Sequence, residues 1–246
     1  MTLPARVFVA GDGTEIAALC RRHGCGIEIQ VFLELERVAE HGRALGDLQP
    51  RSLHGPFGDL CAGSYDPMIR DVTRHRFEQA CSFAAQLQAP DIILHHGYVP
   101  GTSWPANWLR RTVAFWHEFL ADRESHLRFH VENMLERDGG LLSDVIDGIG
   151  DERVDVCLDI GHCHCNSEET PLQWIERLGE RIGWVHVHDN RGDDDSHLAL
   201  GAGTIPMREV GAALLEHCPK AVWCLECTDE DLPTSLAWLQ AEGFMA

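Results

Sequence analysis

Short apolar runs alternate with longer stretches of helical apolar spacing along the whole chain, and there are eight rounds of it. No other feature restricts the fold as tightly. Strands are expected over residues 6–10, 26–32, 52–56, 92–97, 127–133, 154–161, 183–189 and 221–227. Amphipathic helices are expected near 14–23, 35–45, 69–87, 105–123, 141–149, 171–181, 207–217 and 232–241. Strict alternation argues for parallel strands joined by helical crossovers. Eight such units in 246 residues match the roughly 250 of a closed α/β barrel. A doubly wound open sheet is the competitor, and it usually carries a Gly-rich nucleotide fingerprint after its first strand. Gly11-Asp12-Gly13-Thr14 stops short of that pattern and reads as a turn and helix N-cap. With no Pro/Ser-rich linker or low-complexity tract, the expectation is one (β/α)8 TIM-barrel domain over residues 1–246.

Charge narrows the partners. Thirty-nine acidic residues against twenty basic ones give a formal net charge of −19. Such a field repels nucleic acid and anionic membrane unless a local basic track overrides it, and the arginines are scattered. A small-molecule substrate is therefore expected, and duplex DNA and membranes are not. Lys220 is the only lysine and precedes the last strand, at the wrong end for chemistry, which argues against a Schiff-base lyase. The N-terminus, MTLPARVFVA, enters a strand without the basic region, apolar segment and cleavage site of a signal peptide, and no run of eighteen apolar residues suggests a membrane span. A cytoplasmic location follows as an expectation. Ten cysteines without framework spacing then read as free thiols. Cys224 and Cys227 fall within one strand, where residues three apart face opposite sides, so they make a poor redox pair.

In a barrel of this kind, chemistry sits where the strands finish. Those ends carry His54 in LHGPF, His95 and His96 in LHHGY, Glu132 in HVENM, Asp159 and His162 in LDIGH, His186 and His188 in WVHVHD, and Glu226 in CLEC. After the seventh strand an acidic loop closes on Asp195-Ser196-His197, before a Gly201-x-Gly203 turn. One histidine at a strand end is ordinarily structural, but six successive ends bearing His, Asp or Glu behind apolar residues point to a divalent metal site. Inward-pointing Glu132, Asp159 and Glu226 would each cost several kcal/mol if buried unpaired, so they need a cation or protonation. Of His162-Cys163-His164-Cys165 only His162 is taken as a ligand. Alternation places His130 and His188 inward, to line the pocket or fill the barrel. Glu28 and Gln30 at strand two are weaker pocket candidates, and Arg191 could hold a substrate oxygen or phosphate. Trp104 and Trp108 could flank a sugar ring, although packing is the simpler reading.

These residues carry a resemblance to the xylose isomerase-like TIM-barrel superfamily, which contains sugar and sugar-phosphate isomerases and epimerases and also endonuclease IV. Its marks are Glu132 at strand five, Asp159-x-Gly-His162 at strand six, His186-x-His-Asp-Asn at strand seven and Glu226 at strand eight. In the isomerase branch the resemblance implies one metal held by Glu132, Asp159, His186 and Glu226, with His162 on the substrate and the two glutamates moving a proton beside a carbonyl. Further positions are similar to endonuclease IV: His54 in a His-x-Pro-aromatic segment, His95 in His-x-Gly, and Asp195-x-His197 before Gly201-x-Gly-x-Ile205. That branch implies three metals. Glu132 would bridge two, the first completed by His54 and His95 and the second by Asp159, His186 and Glu226. His162, Asp195 and His197 would hold the third.

Two enzyme classes and one bland class follow. A multinuclear metal-dependent hydrolase of a small phosphoester or sugar-containing phosphodiester uses all of these ligands, with a metal-activated water. A sugar or sugar-phosphate isomerase or epimerase would use Glu132 and Glu226 for proton transfer, and His162 with the substrate. A metal- or sugar-binding module without catalysis leaves those carboxylates unexplained. Hydrolysis is the preferred expectation, with His188, Arg191 and Glu28 on the substrate. Zinc best suits the mixed imidazole and carboxylate donors, with manganese or iron as alternatives, up to three ions per chain.

Overall fold

The computed structural model describes residues 5–30, 37–123 and 125–245. Within them β1 (Arg6–Ala10), β2 (Gly26–Gln30), β3 (Arg51–His54), β4 (Asp91–His95), β5 (Arg128–Glu132), β6 (Val154–Asp159), β7 (Ile182–Val187) and β8 (Val222–Leu225) form one closed parallel barrel in chain order. β1 pairs with β8 to close the ring, so no open doubly wound sheet exists. The crossovers are α1 (Gly13–His23), α2 (Arg37–Leu45), α3 (Pro67–Leu87), α4 (Pro105–Leu120), α5 (Gly140–Ile149), α7 (Pro171–Leu178) and α8 (Met207–His217), and α9 (Leu232–Ala241) follows β8. A short α6 (Ile160–Asn166) leads out of β6. The expected ends of strand two (31–32) and the start of helix two (35–36) lie outside the described residues.

Period-two alternation sorts the strand side chains into two cores. Val7, Val9, Ile92, Leu94, Val185, Trp223 and Leu225 face the helices in the large outer core. Phe8, Ala10, Ile93, Cys157, Trp184, Val222 and Cys224 fill the lumen as a separate cluster. Continuing the lumen parity by two residues gives His95, Asp159, His186 and Glu226, which is why the polar residues meet at one end. Register adds to this. His95 is the Cα partner of Glu132, and Asp159 that of His186.

Most expected strands overran the ladder at their C-terminal ends, β3, β4, β6, β7 and β8 by two residues each. In β6, residues 160–161 begin α6 instead of extending the strand. Asp159 is the cause, since its carboxylate accepts from the backbone N–H of His162 at 2.6 Å and caps a helix. At seven residues, α6 is too short to show an amphipathic repeat.

Candidate metal centre

Glu132 lies at the middle of the polar end of the lumen and is 2% exposed. One carboxylate oxygen, Oε2, lies 3.2 Å from His54 Nε2 and 3.1 Å from His95 Nε2. The other, Oε1, lies 3.2 Å from His186 Nδ1. That same Nδ1 is 3.1 Å from Glu226 Oε2 and 3.8 Å from Asp159 Oδ2. A second grouping stands beside this one. Asp195 Oδ2 is 3.2 Å from His162 Nε2 and 3.0 Å from His197 Nε2. His54, His95, Glu132, His162, Glu226 and the loop pair line one cavity of about 450 Å³, with Phe57, Met134 and Thr228 on its walls, while Asp159 and His186 lie buried behind them.

The Asp159-Ile160-Gly161-His162 spacing has a local explanation. Asp159 ends the strand and caps α6, so the first helical turn carries His162 back over the barrel mouth. Asn133 clamps the two strand ends together: its Nδ2 donates to the Asp159 carbonyl at 3.0 Å and its Oδ1 accepts from the Asp159 N–H at 2.8 Å. The Asn133 carbonyl lies 2.8 Å from His162 Nδ1, which turns Nε2 of that ring towards Asp195. Gly161 has to be small, because a Cβ there would sit 2.0 Å from the His188 ring.

The loop after β7 is held by Asp189, which is fully buried. Its carboxylate accepts backbone N–H groups from Asn190, Gly201, Gly203 and Ile205 at 2.9–3.2 Å. An antiparallel bridge from Asp189 to Leu198 closes the loop at its base. Asp195 and His197 are presented from inside this closure. His197 adopts a left-handed φ of 46°, an uncommon conformation for a non-glycine residue and one that clusters at functional sites.

The electrostatics fit a cation. Burial by itself would raise the Glu132 carboxyl, yet His95 and His186 beside it hold it well below the usual carboxylate range. Asp159 is held at about 2, with His162 and His188 outweighing the cost of burial. The imidazoles respond in kind. Against desolvation, Asp159 and Asp195 push His162 up to about 11, and Asp195 and Glu226 push His197 up to about 9. His186 Nδ1 is buried and makes no hydrogen bond among the described residues, although three carboxylates ring it. Carboxylate oxygens grouped around a ring nitrogen without hydrogen-bond geometry suit a shared divalent ion. His54, His95 and Glu132 offer donor atoms within 4.8 Å of one another, as do His54, His186 and Glu226. The residues therefore fit a metal.

Other candidates sit elsewhere. Glu28 was expected to touch substrate, but it is fully buried, with Oε1 3.0 Å from His186 Nε2, behind that ring and away from the cavity. His188 is also fully buried, its Nε2 3.2 Å from both oxygens of Asp159 and 3.7 Å from Asp195 Oδ1, and it offers a donor atom grouped with those of His197 and Glu226. Arg191 is exposed, and its guanidinium lies 3.4 Å from the Ala202 carbonyl. Gln30 does line the cavity and donates to Glu226 Oε1 at 2.8 Å. His96 faces outward and accepts from Trp116 Nε1, while burial and neighbouring His95 lower it to about 3. His130 lies deeper in the lumen, between Asp91 and Asp155. His164 bonds Thr204 at the surface, and all ten cysteines are free. Trp108 is packed in the core, whereas Trp104 is 81% exposed on a second cavity of about 890 Å³ with Tyr98, Glu136 and Asp144. Among the described residues no helix is long and apolar enough to cross a membrane. Sequence reasoning assigned no role to Asn133 and read Asp189 with His186 and His188 among the metal-suited residues at the end of strand seven, whereas its carboxylate is taken up by loop N–H groups; a hydrogen bond to a distant backbone group leaves no periodic signal.

The model of the family described as xylose isomerase-like TIM barrel matches residues 14–242. An uncharacterized protein of Methanocaldococcus jannaschii is 30% identical over 176 residues, which cover 67% of this chain and 59% of that protein. The chain thus matches about three fifths of that relative's length. A probable endonuclease 4 of Mycobacterium ulcerans is 27% identical over 177 residues, covering 67% of this chain and 68% of its own. Among solved structures, a D-tagatose 3-epimerase-like protein superposes with a TM-score of 0.81 at 23% identity, covering 96% of each chain, and shares the fold. A relative named as an endonuclease leaves the expectation against duplex DNA, drawn from net charge, without support.

Proposed function

We propose that this chain, which belongs to the xylose isomerase-like TIM-barrel family, is a metal-dependent hydrolase of a small phosphoester or a sugar-containing phosphodiester. The observation that carries this reading is the position of Asp195 between two imidazoles, 3.2 Å from His162 and 3.0 Å from His197. Proton transfer beside a carbonyl needs carboxylates around one metal, for which Glu132, Asp159, His186 and Glu226 suffice. With His162 on the substrate, it still leaves Asp195 and His197 without a purpose, and likewise His54 and His95 on the far oxygen of Glu132.

Divalent ions, zinc most suitably, would supply an activated water and stabilisation of the departing oxygen. The chain's own residues do the rest. Glu132 presents one oxygen to each half of the centre, and Asn133 and Asp159 fix His162 at the mouth. Phe57, 42% exposed beside His54, forms an apolar wall for the part of the substrate that does not react.

One observation favours an isomerase or epimerase as the second reading. Glu132 Oε1 and Glu226 Oε2 approach the same His186 Nδ1, at 3.2 and 3.1 Å, so two carboxylates border one position. Elemental analysis of protein purified without chelators separates the two readings. Two or three tightly bound metals per chain, one of them lost in Asp195→Ala, with turnover of phosphomono- or diesters, support hydrolysis; the panel includes a duplex oligonucleotide. One metal, indifferent to Asp195→Ala, with solvent-proton exchange into ketoses, overturns it in favour of the isomerase.

A further inference from the structure

His186 has two different surroundings. Its Nδ1 faces Glu132, Glu226 and Asp159, while its Nε2 lies 3.0 Å from Glu28 Oε1, with the Cys224 thiol in the same group. Both residues are fully buried. β2 and β7 are not neighbours in the barrel, so Glu28 reaches His186 across the lumen. The strands between them present small side chains, Ala10 as the Cα partner of Glu28 and Cys224 as that of His186, and these leave room for the reach. A carboxylate can only accept, so a bond at this distance requires the proton to be on Nε2. In the neutral ring that a metal ligand requires, the lone pair is then on Nδ1, on the side where the carboxylates gather.

We propose that Glu28 is a positioning residue: it holds His186 with Nε2 protonated and its ring fixed, so that Nδ1 is turned to the metal position between Glu132, Glu226 and Asp159. This rests on the metal-centre reading of the same site. A carboxylate behind a ligand histidine sets its tautomer and raises its basicity, and loss of such a partner weakens metal binding by about 10–100-fold. Glu28 makes this contact from 158 positions away in sequence. Its second oxygen, Oε2, has no hydrogen-bond partner among the described residues, so His186 is the hydrogen-bond partner the carboxylate has there.

The test compares the intact wild-type chain with Glu28→Gln and Glu28→Leu, using zinc as the probe. Zinc affinity is measured by competition with a chelating dye, and the His186 ring N–H is followed by proton–nitrogen NMR of the zinc-loaded protein. The wild type is expected to show a downfield Nε2–H resonance. Glu28→Gln, which retains an acceptor, is expected to move that resonance upfield and weaken zinc about tenfold; Glu28→Leu is expected to lose the resonance to exchange and weaken zinc further. If Glu28→Leu does not fold, the near-isosteric Glu28→Gln carries the test. Wild-type zinc binding together with Glu28→Gln affinity within about twofold of it, and an unmoved resonance, overturns this proposal alone. A wild-type chain that binds no zinc overturns the metal-centre reading and this proposal with it.

Discussion

The rings of His188 and His197 lie stacked, with centroids 4.0 Å apart and planes 12° from parallel. His188 belongs to the end of the barrel wall and His197 to the loop that follows, so the stack joins the loop's ligand to the wall. His188 Nε2 also reaches both oxygens of Asp159 at 3.2 Å. One buried ring therefore connects the strand-six carboxylate with the loop imidazole. His188→Leu keeps most of the volume and removes the hydrogen bond. It is expected to cost about 1–3 kcal/mol of stability through Asp159 Oδ2, which loses its hydrogen bond while Oδ1 keeps the His162 N–H, read as a lower thermal midpoint in metal-free protein.

Asp189 predicts a local effect. Four backbone N–H groups depend on its carboxylate. Asp189→Ala should speed hydrogen exchange at Gly201, Gly203 and Ile205 and remove the metal equivalent proposed for His162, Asp195 and His197. Metal at His54, His95 and Glu132, which stand on other strands, should remain. Unchanged exchange at those three amides would show that the loop is held by something else.

Gly161 has no room for a side chain, because a Cβ would stand 2.0 Å from His188 Cε1 in the buried wall. Gly161→Ala is expected to destabilise the fold by about 1–3 kcal/mol through overpacking. Combining it with His188→Ala should restore part of the loss, since the clashing ring is then gone. Additive losses in the double variant would contradict the steric explanation.

His130 predicts the pH dependence of stability. Burial opposes its charge, but Asp155 and Asp91 on either side outweigh this and bring it up to about 9. Trp184, the aromatic neighbour of its ring at 5.0 Å, carries no charge. A histidine raised above its unfolded value of about 6.5 contributes stability that is complete below that pH and is lost as pH rises through the folded value. Denaturant midpoints should therefore fall between about pH 6.5 and 9 in the wild type and show a flatter slope over that window in His130→Gln. Equal slopes in the two proteins would refute the assignment.

Much of the centre was legible because it is built on parity. Glu132, Asp159, His186 and Glu226 fall two residues beyond lumen-filling side chains, and alternation carries that information without any knowledge of the tertiary fold. The same logic puts His188 and Glu28 inward, but parity does not say how high in the lumen a side chain stops or what it meets there. Both were read as substrate groups; in the structure both are buried, Glu28 against His186 and His188 against Asp159 and His197. The end of β6 was misread for a different reason, since Asp159 serves as ligand candidate and helix cap together and the cap ends the strand.

The sequence by itself determined the eightfold alternation, the parallel barrel and the strand ends at which imidazoles and carboxylates collect, because all three follow from local periodicity and crossover length. Only the tertiary structure decided the pairings: Glu28 with His186 across the lumen, Asp195 between His162 and His197, and His188 stacked on His197. Those depend on the closure of the ring, which sets which strands face one another, and on the four N–H groups gathered by Asp189, which set the path of the loop. Neither leaves a repeat along the chain.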